Sequence, residues 1–180
     1  RLYENERSIA ADLTGLTDLT RALQDVSDPE VLFSRLMDNI YNLSEVDVMG
    51  FLLYDESRRL FYGQNPFYGL PPNVVDWCRI AVFPGSEAEG ILTGGELIHS
   101  EHPGDDSRLE AIGLQPVAQA AALREMLLIP LSSAGRLFGY LQAANPRSSS
   151  GFDQAAIRRL EQIAAQVSPI IAINRPMTAR

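Results

Sequence analysis

Apolar and polar positions alternate with most regularity in the last third of the chain. Met126-Leu127-Leu128-Ile129-Pro130-Leu131 is an apolar, strand-like run. Ser132-Ser133-Ala134-Gly135 follows, and the Ser-Ala-Gly step supplies the positive φ that a hairpin turn needs. A second run, Leu137 to Ala144, is closed by Asn145-Pro146. Gly151-Phe152-Asp153 then opens an amphipathic helix from Gln154 to Ile171. Its stripe of Ile157, Leu160, Ile163, Ala164, Val167 and Ile171 is broad enough to cover a sheet face. Pro130 predicts a sheet edge or a bulge, and Gly139 a close approach of another backbone or helix.

Upstream, residues 1–26 read as one helix. Leu2, Ile9, Leu16 and Leu23 recur every seven positions, with Leu13 between them and Glu6 and Thr20 interrupting. A broken heptad seam fits a connector helix that pairs with another chain, and equally a helix packed on its own domain. Gly15 weakens its interior. Asp28-Pro29-Glu30 is a restart signal, predicting a helix from Pro29 to about Asn42 with Leu32, Phe33, Leu36, Ile40 and Leu43 on one side. Val46 to Tyr54 is strand-like, Asp55 to Arg58 a turn, and Arg59 to Tyr62 the returning strand. Gly63 to Pro72 holds three Pro and two Gly and predicts a loop. Asn73 to Ile80 reads as a short helix carrying Val74, Trp77 and Cys78. Pro84-Gly85, Gly90 and Gly94-Gly95 mark an irregular stretch, and Glu96 to His99 a short strand. Pro103 to Asp106 caps a helix from Ser107 to Ile112, and Gln115 to Leu123 is helical.

Composition narrows the functional classes. The 180 residues suit one domain with a real core. No apolar run approaches the roughly 20 residues of a membrane helix. No secretory signal opens the chain, and its first residue, Arg1, is expected of a piece of a longer protein. The net charge of -8 repels phosphate backbones, so nucleic acid is not an expected partner, and without a membrane-length run no membrane contact is expected of this segment. The single cysteine, Cys78, excludes an internal disulfide and a cysteine zinc cage, and suits the cytoplasm.

Several pieces resemble a GAF domain, in the family's order. Two helical segments precede the strand hairpin around Asp55. Thr93-Gly94-Gly95-Glu96-Leu97-Ile98 is similar to the family's TGEP-type turn and strand, and Leu127 to Leu131 resembles its L-x-V-P-L strand. Phe138 to Asn145 resembles its I-G-V-L-x-x-x-N strand. Phe152-Asp153 with Leu160, Ile163-Ala164 and Val167 resembles its last helix. The resemblance implies an α+β fold: a central antiparallel sheet with N- and C-terminal helices on one face, and short helices and loops enclosing a pocket on the other. The expected organisation is a connector helix over residues 1–12, the domain over 13–174 and a linker over 175–180. It further implies a sensory module, not an enzyme, within a larger signalling protein such as a two-component system. Such a module would bind a small molecule and act through terminal helices of a homodimer.

The expected pocket rests on Gly63 to Asp106, long, Gly/Pro-rich and aromatic. Trp77, Cys78, Ile91, Glu96 and His99 are its candidate lining. Phe51, Tyr140 and Gln142 join them if those strand side chains face away from the long helices. The alternative is a dry second core around Trp77 and Phe83, which leaves a ligand-free dimerisation module. His99, His102, Asp105 and Asp106 contain ligand types, but Pro103 stops any helix and the loop reads as solvated, with no metal expected. Bilin-binding relatives often place His after the attachment cysteine, whereas Arg79 follows Cys78. Reductases of the family use several cysteines, and one cannot close a disulfide cycle. The cyclic-nucleotide signature is matched at Asn145 and Phe152, but Ala156 and Ile157 stand at its acidic positions and Pro146 at its basic one. The residues name no cofactor.

Overall fold

The computed structural model describes residue 21 and residues 27–174. The connector helix expected over residues 1–12 and the linker over 175–180 lie outside them, as does the rest of the helix read over 1–26 apart from residue 21.

Helix α1 (Pro29–Leu43) begins where Asp28 accepts a hydrogen bond from the Glu30 N–H at 3.0 Å, with Pro29 at its first turn. Strand β1 (Val46–Asp55) turns into β2 (Leu60–Tyr68) through a carboxylate-centred turn. Asp55 accepts from the Ser57 hydroxyl at 2.6 Å and from the N–H groups of Ser57 and Arg58 at 2.9 and 3.1 Å. Short elements follow: α2 (Pro72–Val75), β3 (Arg79–Ala81), α3 (Glu87–Thr93), β4 (Ile98–Ser100), α4 (Ser107–Ala111) and α5 (Gln115–Ala120). The hairpin of β5 (Met126–Ser133) and β6 (Arg136–Pro146) then leads to α6 (Gln154–Asn174). Ala134 and Gly135 make the hairpin turn with φ of 52° and 76°.

The six strands form one antiparallel sheet in the order β3-β2-β1-β6-β5-β4. Pleating divides its side chains between two cores. Met49, Phe51, Leu53, Leu127, Ile129, Leu141 and Ala143 face α1 and α6. Val48, Leu52, Met126, Leu128, Tyr140 and Ala144 face the short elements. A register shift between Leu131 and Ser132 leaves Phe138 as an extra residue on β6, so Phe138 and Tyr140, two positions apart, enter opposite cores. Gly139 is the close approach expected of it: a Cβ there would lie 2.3 Å from the Leu52 carbonyl oxygen of β1.

Three local expectations are corrected. The loop expected from Gly63 is strand through Tyr68, because β1 supplies partners: Gln64 pairs with Phe51 and Tyr68 with Met49. Pro66 is tolerated because the register shifts between those pairs. The helix expected over Asn73 to Ile80 stops at Val75, and Arg79–Ala81 is taken up as an edge strand on β2. The stretch expected to be irregular contains α3, whose N-cap is Ser86, accepting from the Glu89 N–H at 3.1 Å.

Two outcomes follow. Gly139→Ala pushes β6 from β1 and is expected to lower unfolding stability by about 2 kcal/mol, read by urea denaturation; a loss under about 0.5 kcal/mol would show that the strands part freely there. The Asp55 carboxyl is held below its ordinary 3.8, chiefly by the Ser57 hydroxyl. Its contribution is therefore present above that value and is lost as pH falls through the lower folded value. Denaturation from about pH 7 to about pH 2 should show a shallower acid limb in Asp55→Asn; an unchanged slope would assign the limb to other carboxylates.

Candidate functional site

The face of the sheet away from α1 and α6 carries a separate buried layer. It is closed by β2, the loop after it and the short helices: Phe67, Leu70, Val74, Leu109 and Val117 all lie within it. Phe67 covers the centre. A Cβ on Gly50 would fall 2.1 Å from its ring, so the ring rests directly on the β1 backbone.

One polar side chain stands in the middle of this face. Gln142 is paired with Gly50 of β1 on one side and Leu128 of β5 on the other. Its neighbours along the strand on that face are Tyr140 and Ala144. It is 0% exposed, and among the described residues neither its Oε1 nor its Nε2 has a hydrogen-bond partner. Leaving such a group unpaired costs about 1–3 kcal/mol. Tyr140, equally deep, is satisfied: its hydroxyl donates to the Leu92 carbonyl at 2.8 Å, and burial pushes its pKa above its usual value.

The structure brings four of the eight expected residues to this layer. Cys78, Tyr140 and Gln142 are buried in it, and Ile91, half-buried on α3, packs against it. The other four stand elsewhere. Phe51 does not meet its condition: it faces the long helices, with its ring edge-on to Phe33 at 6.1 Å. Trp77 is 52% exposed, because α2 ends before the turn that would have carried it inward. Phe83, expected with it in a dry core, is 68% exposed. Glu96 is exposed on the connection from α3 to β4. His99 points to the sheet edge, where its Nε2 lies 2.9 Å from Glu125 Oε1.

That Glu125 carboxylate was not singled out by the sequence, yet it ties three segments. It also accepts from the Phe152 N–H at 2.8 Å and packs on Gly151, so β4 and the approach to α6 are pinned to the start of β5. His99 is thus a structural tie. It also borders an open polar hollow of 440 Å³ with Glu101, His102, Asp105, Asp106 and Arg108. In that hollow the Arg108 guanidinium holds the Asp106 carboxyl well below the usual carboxylate range. Among the described residues no group of three or more His, Cys, Asp or Glu could hold a metal ion. Cys78 behaves as a small apolar residue: its Sγ faces the Val74 carbonyl at 3.9 Å, and burial pushes its pKa up to about 12. A second groove, of 390 Å³, lies between the β5 edge at Pro130 and α6 at Ala165 and Ser168. Pro130, expected at an edge or a bulge, lies past Leu128, where the pairing of β5 with β4 ends, and just before the register shift after Leu131.

No helix among the described residues is long and apolar enough to cross a membrane. No curated protein matches this sequence. Solved structures match the fold closely. The GAF domain of a phosphoenolpyruvate-protein phosphotransferase from Coxiella burnetii is 17% identical with a TM-score of 0.68, covering 93% of this chain and 96% of that one. Free methionine-R-sulfoxide reductase from Neisseria meningitidis, in complex with its substrate, is 18% identical with a TM-score of 0.67, covering 93% and 92%. A methyl-accepting chemotaxis protein, residues 122 to 287, is 12% identical with a TM-score of 0.66, covering 89% and 98%. The family model for the GAF domain matches residues 28–171. With its two-faced antiparallel sheet and that match across most of its length, the chain belongs to the GAF domain family, typical of signalling sensor proteins.

Proposed function

We propose that this domain is a sensory, regulatory module of a larger cytoplasmic signalling protein. It binds a small molecule in the layer between the sheet and the short elements, and relays occupancy through its terminal helices within a homodimer. The observation that carries this reading is the Gln142 amide, unpaired among the described residues, at the centre of a largely apolar layer. A folded domain gains nothing from such a group unless something pairs with it. The neisserial reductase, which shares the fold, is described with its substrate bound. The dimer would use the seam of Leu2, Ile9, Leu16 and Leu23. The inner stripe of α6, from Leu160 to Ile171, is already buried against its own sheet, whereas Ile173 beyond it is 83% exposed.

A ligand-free dimerisation module is the second reading, favoured by the closure of the layer around Phe67 and Leu70. Redox catalysis is not part of either. A single cysteine, fully buried and short of thiolate, offers no nucleophile to solvent.

A native mass spectrum of protein purified from cells, recorded beside a denatured one, separates the first two readings. Mass lost on denaturation, in a dimer, is the expected result; a bare dimer would favour the structural module. Cys78 gives an independent check. Thiol labelling near pH 8 should be on the order of a thousandfold slower in the native state than in the unfolded chain. Rapid native labelling would return Cys78 to consideration as a reactive group.

A further inference from the structure

Resting on the proposed pocket, the chemistry of the layer narrows what enters it. We propose that the ligand is a small, flat, uncharged molecule with an amide or lactam edge, held by Gln142 through two parallel hydrogen bonds. Gln142 carries both a donor and an acceptor, and neither is used within the described protein. The group that satisfies both at once offers a carbonyl beside an N–H, the edge of a carboxamide or lactam. A lone hydroxyl or ether meets only one of the two in the same geometry.

Charge and shape on the same face restrict the molecule further. Among the described residues the buried polar or charged ones are Asp55, Ser100, Gln142 and Ser168, of which Ser168 lies on α6, across the sheet from this layer. The Asp55 carboxylate is occupied by its own turn, and the other three are neutral. A carboxylate, phosphate or ammonium group would lose its hydration there with no opposite charge to replace it. Beside Gln142 on β1 stands Gly50, with the Phe67 ring laid on its backbone. A planar ring that displaces the Phe67 ring from Gly50 can stack against it.

The probes are 2-pyridone, which has the edge, and N-methyl-2-pyridone, which has lost its N–H. Toluene and benzoate serve as apolar and charged controls. Calorimetry and methyl NMR of the layer residues report binding to the whole chain. The expected result is that 2-pyridone binds about tenfold or more tightly than its N-methyl form, and that Gln142→Met removes this preference without weakening toluene. The probe pair needs no variant, so a folding defect in Gln142→Met does not decide the outcome. Equal affinity of the two pyridones would overturn the amide-edge class. If toluene still bound in the layer, the pocket itself would stand, and binding of benzoate would overturn the exclusion of charge. Silence from all four probes, with Gln142→Met at least as stable as the parent, would overturn both the edge and the pocket.

Discussion

The pairing of β1 with β6 is the contact on which the other parts of the molecule depend. These two strands and β5 form the middle of the sheet and are buried on both faces. Each must therefore serve two cores, and alternate residues answer to different partners. A slip of one position would deliver the Phe51 and Leu141 side to the short helices and expose Gln142 to α6. Gly139 lets the β1 backbone come close, and the extra residue at Phe138 resets the alternation once, near the turn of the hairpin. The near-continuous apolar runs of β1, β5 and β6 reflect this double burial.

The two cores differ in what holds them. One is covered by α1, with 15 residues, and α6, with 21, each with a long apolar stripe and many turns of backbone hydrogen bonds. The other is covered by helices of four to seven residues joined by loops. Helices so short have little stability of their own and persist because their few buried side chains reach the sheet. Local opening is therefore cheapest on that side. Its edges are pinned by polar ties: the Arg59–Glu89 ion pair fastens the turn before β2 to α3, and Arg108 donates to the His99 carbonyl, fastening α4 to β4.

The hairpin of β5 and β6, α1 and α6 were legible because local pattern and tertiary role agree there. Pro29 after Asp28, and Gly135 at the turn, are each demanded by the backbone position they occupy. From Gly63 to Thr93 local chemistry and final structure diverge. Gln64 to Tyr68 lacks a strand pattern and becomes a strand because β1 is waiting beside it. Arg79–Ala81 is extended because β2 offers its free edge in the same way. Helix α3 did have a local signal, the Ser86-Glu87-Ala88-Glu89 capping box, which the flanking glycines obscured. Within the site, parity was the missing quantity. Phe51 and Gln142 are cross-strand diagonal neighbours that face opposite ways, and no composition rule separates them until the register is known. Glu125 left no signal, because its three partners come from residues 99, 151 and 152.

Gln142 and Tyr140 together bear on how occupancy would be felt at a distance. The fold finds a partner for the Tyr140 hydroxyl at the end of α3, so depth alone does not leave polar groups stranded on this face. The strand neighbours of Gln142 offer it no side-chain partner: glycine, with the Phe67 ring laid on it, on one side and leucine on the other. A molecule that pairs with it must lift Phe67 or the short helices. Its affinity is then set by the cost of that opening as well as by the hydrogen bonds and stacking it makes once inside. The strand carries the consequence across. Leu141 and Ala143, on either side of Gln142 in the chain, point into the core under α1 and α6. Packed cores do not absorb displacement smoothly, so under the proposed function a shift of β6 would move those helices as bodies. Because the inner stripe of α6 is engaged with its own sheet, such a shift would reach a partner chain through the ends of the helices, not through a seam along α6.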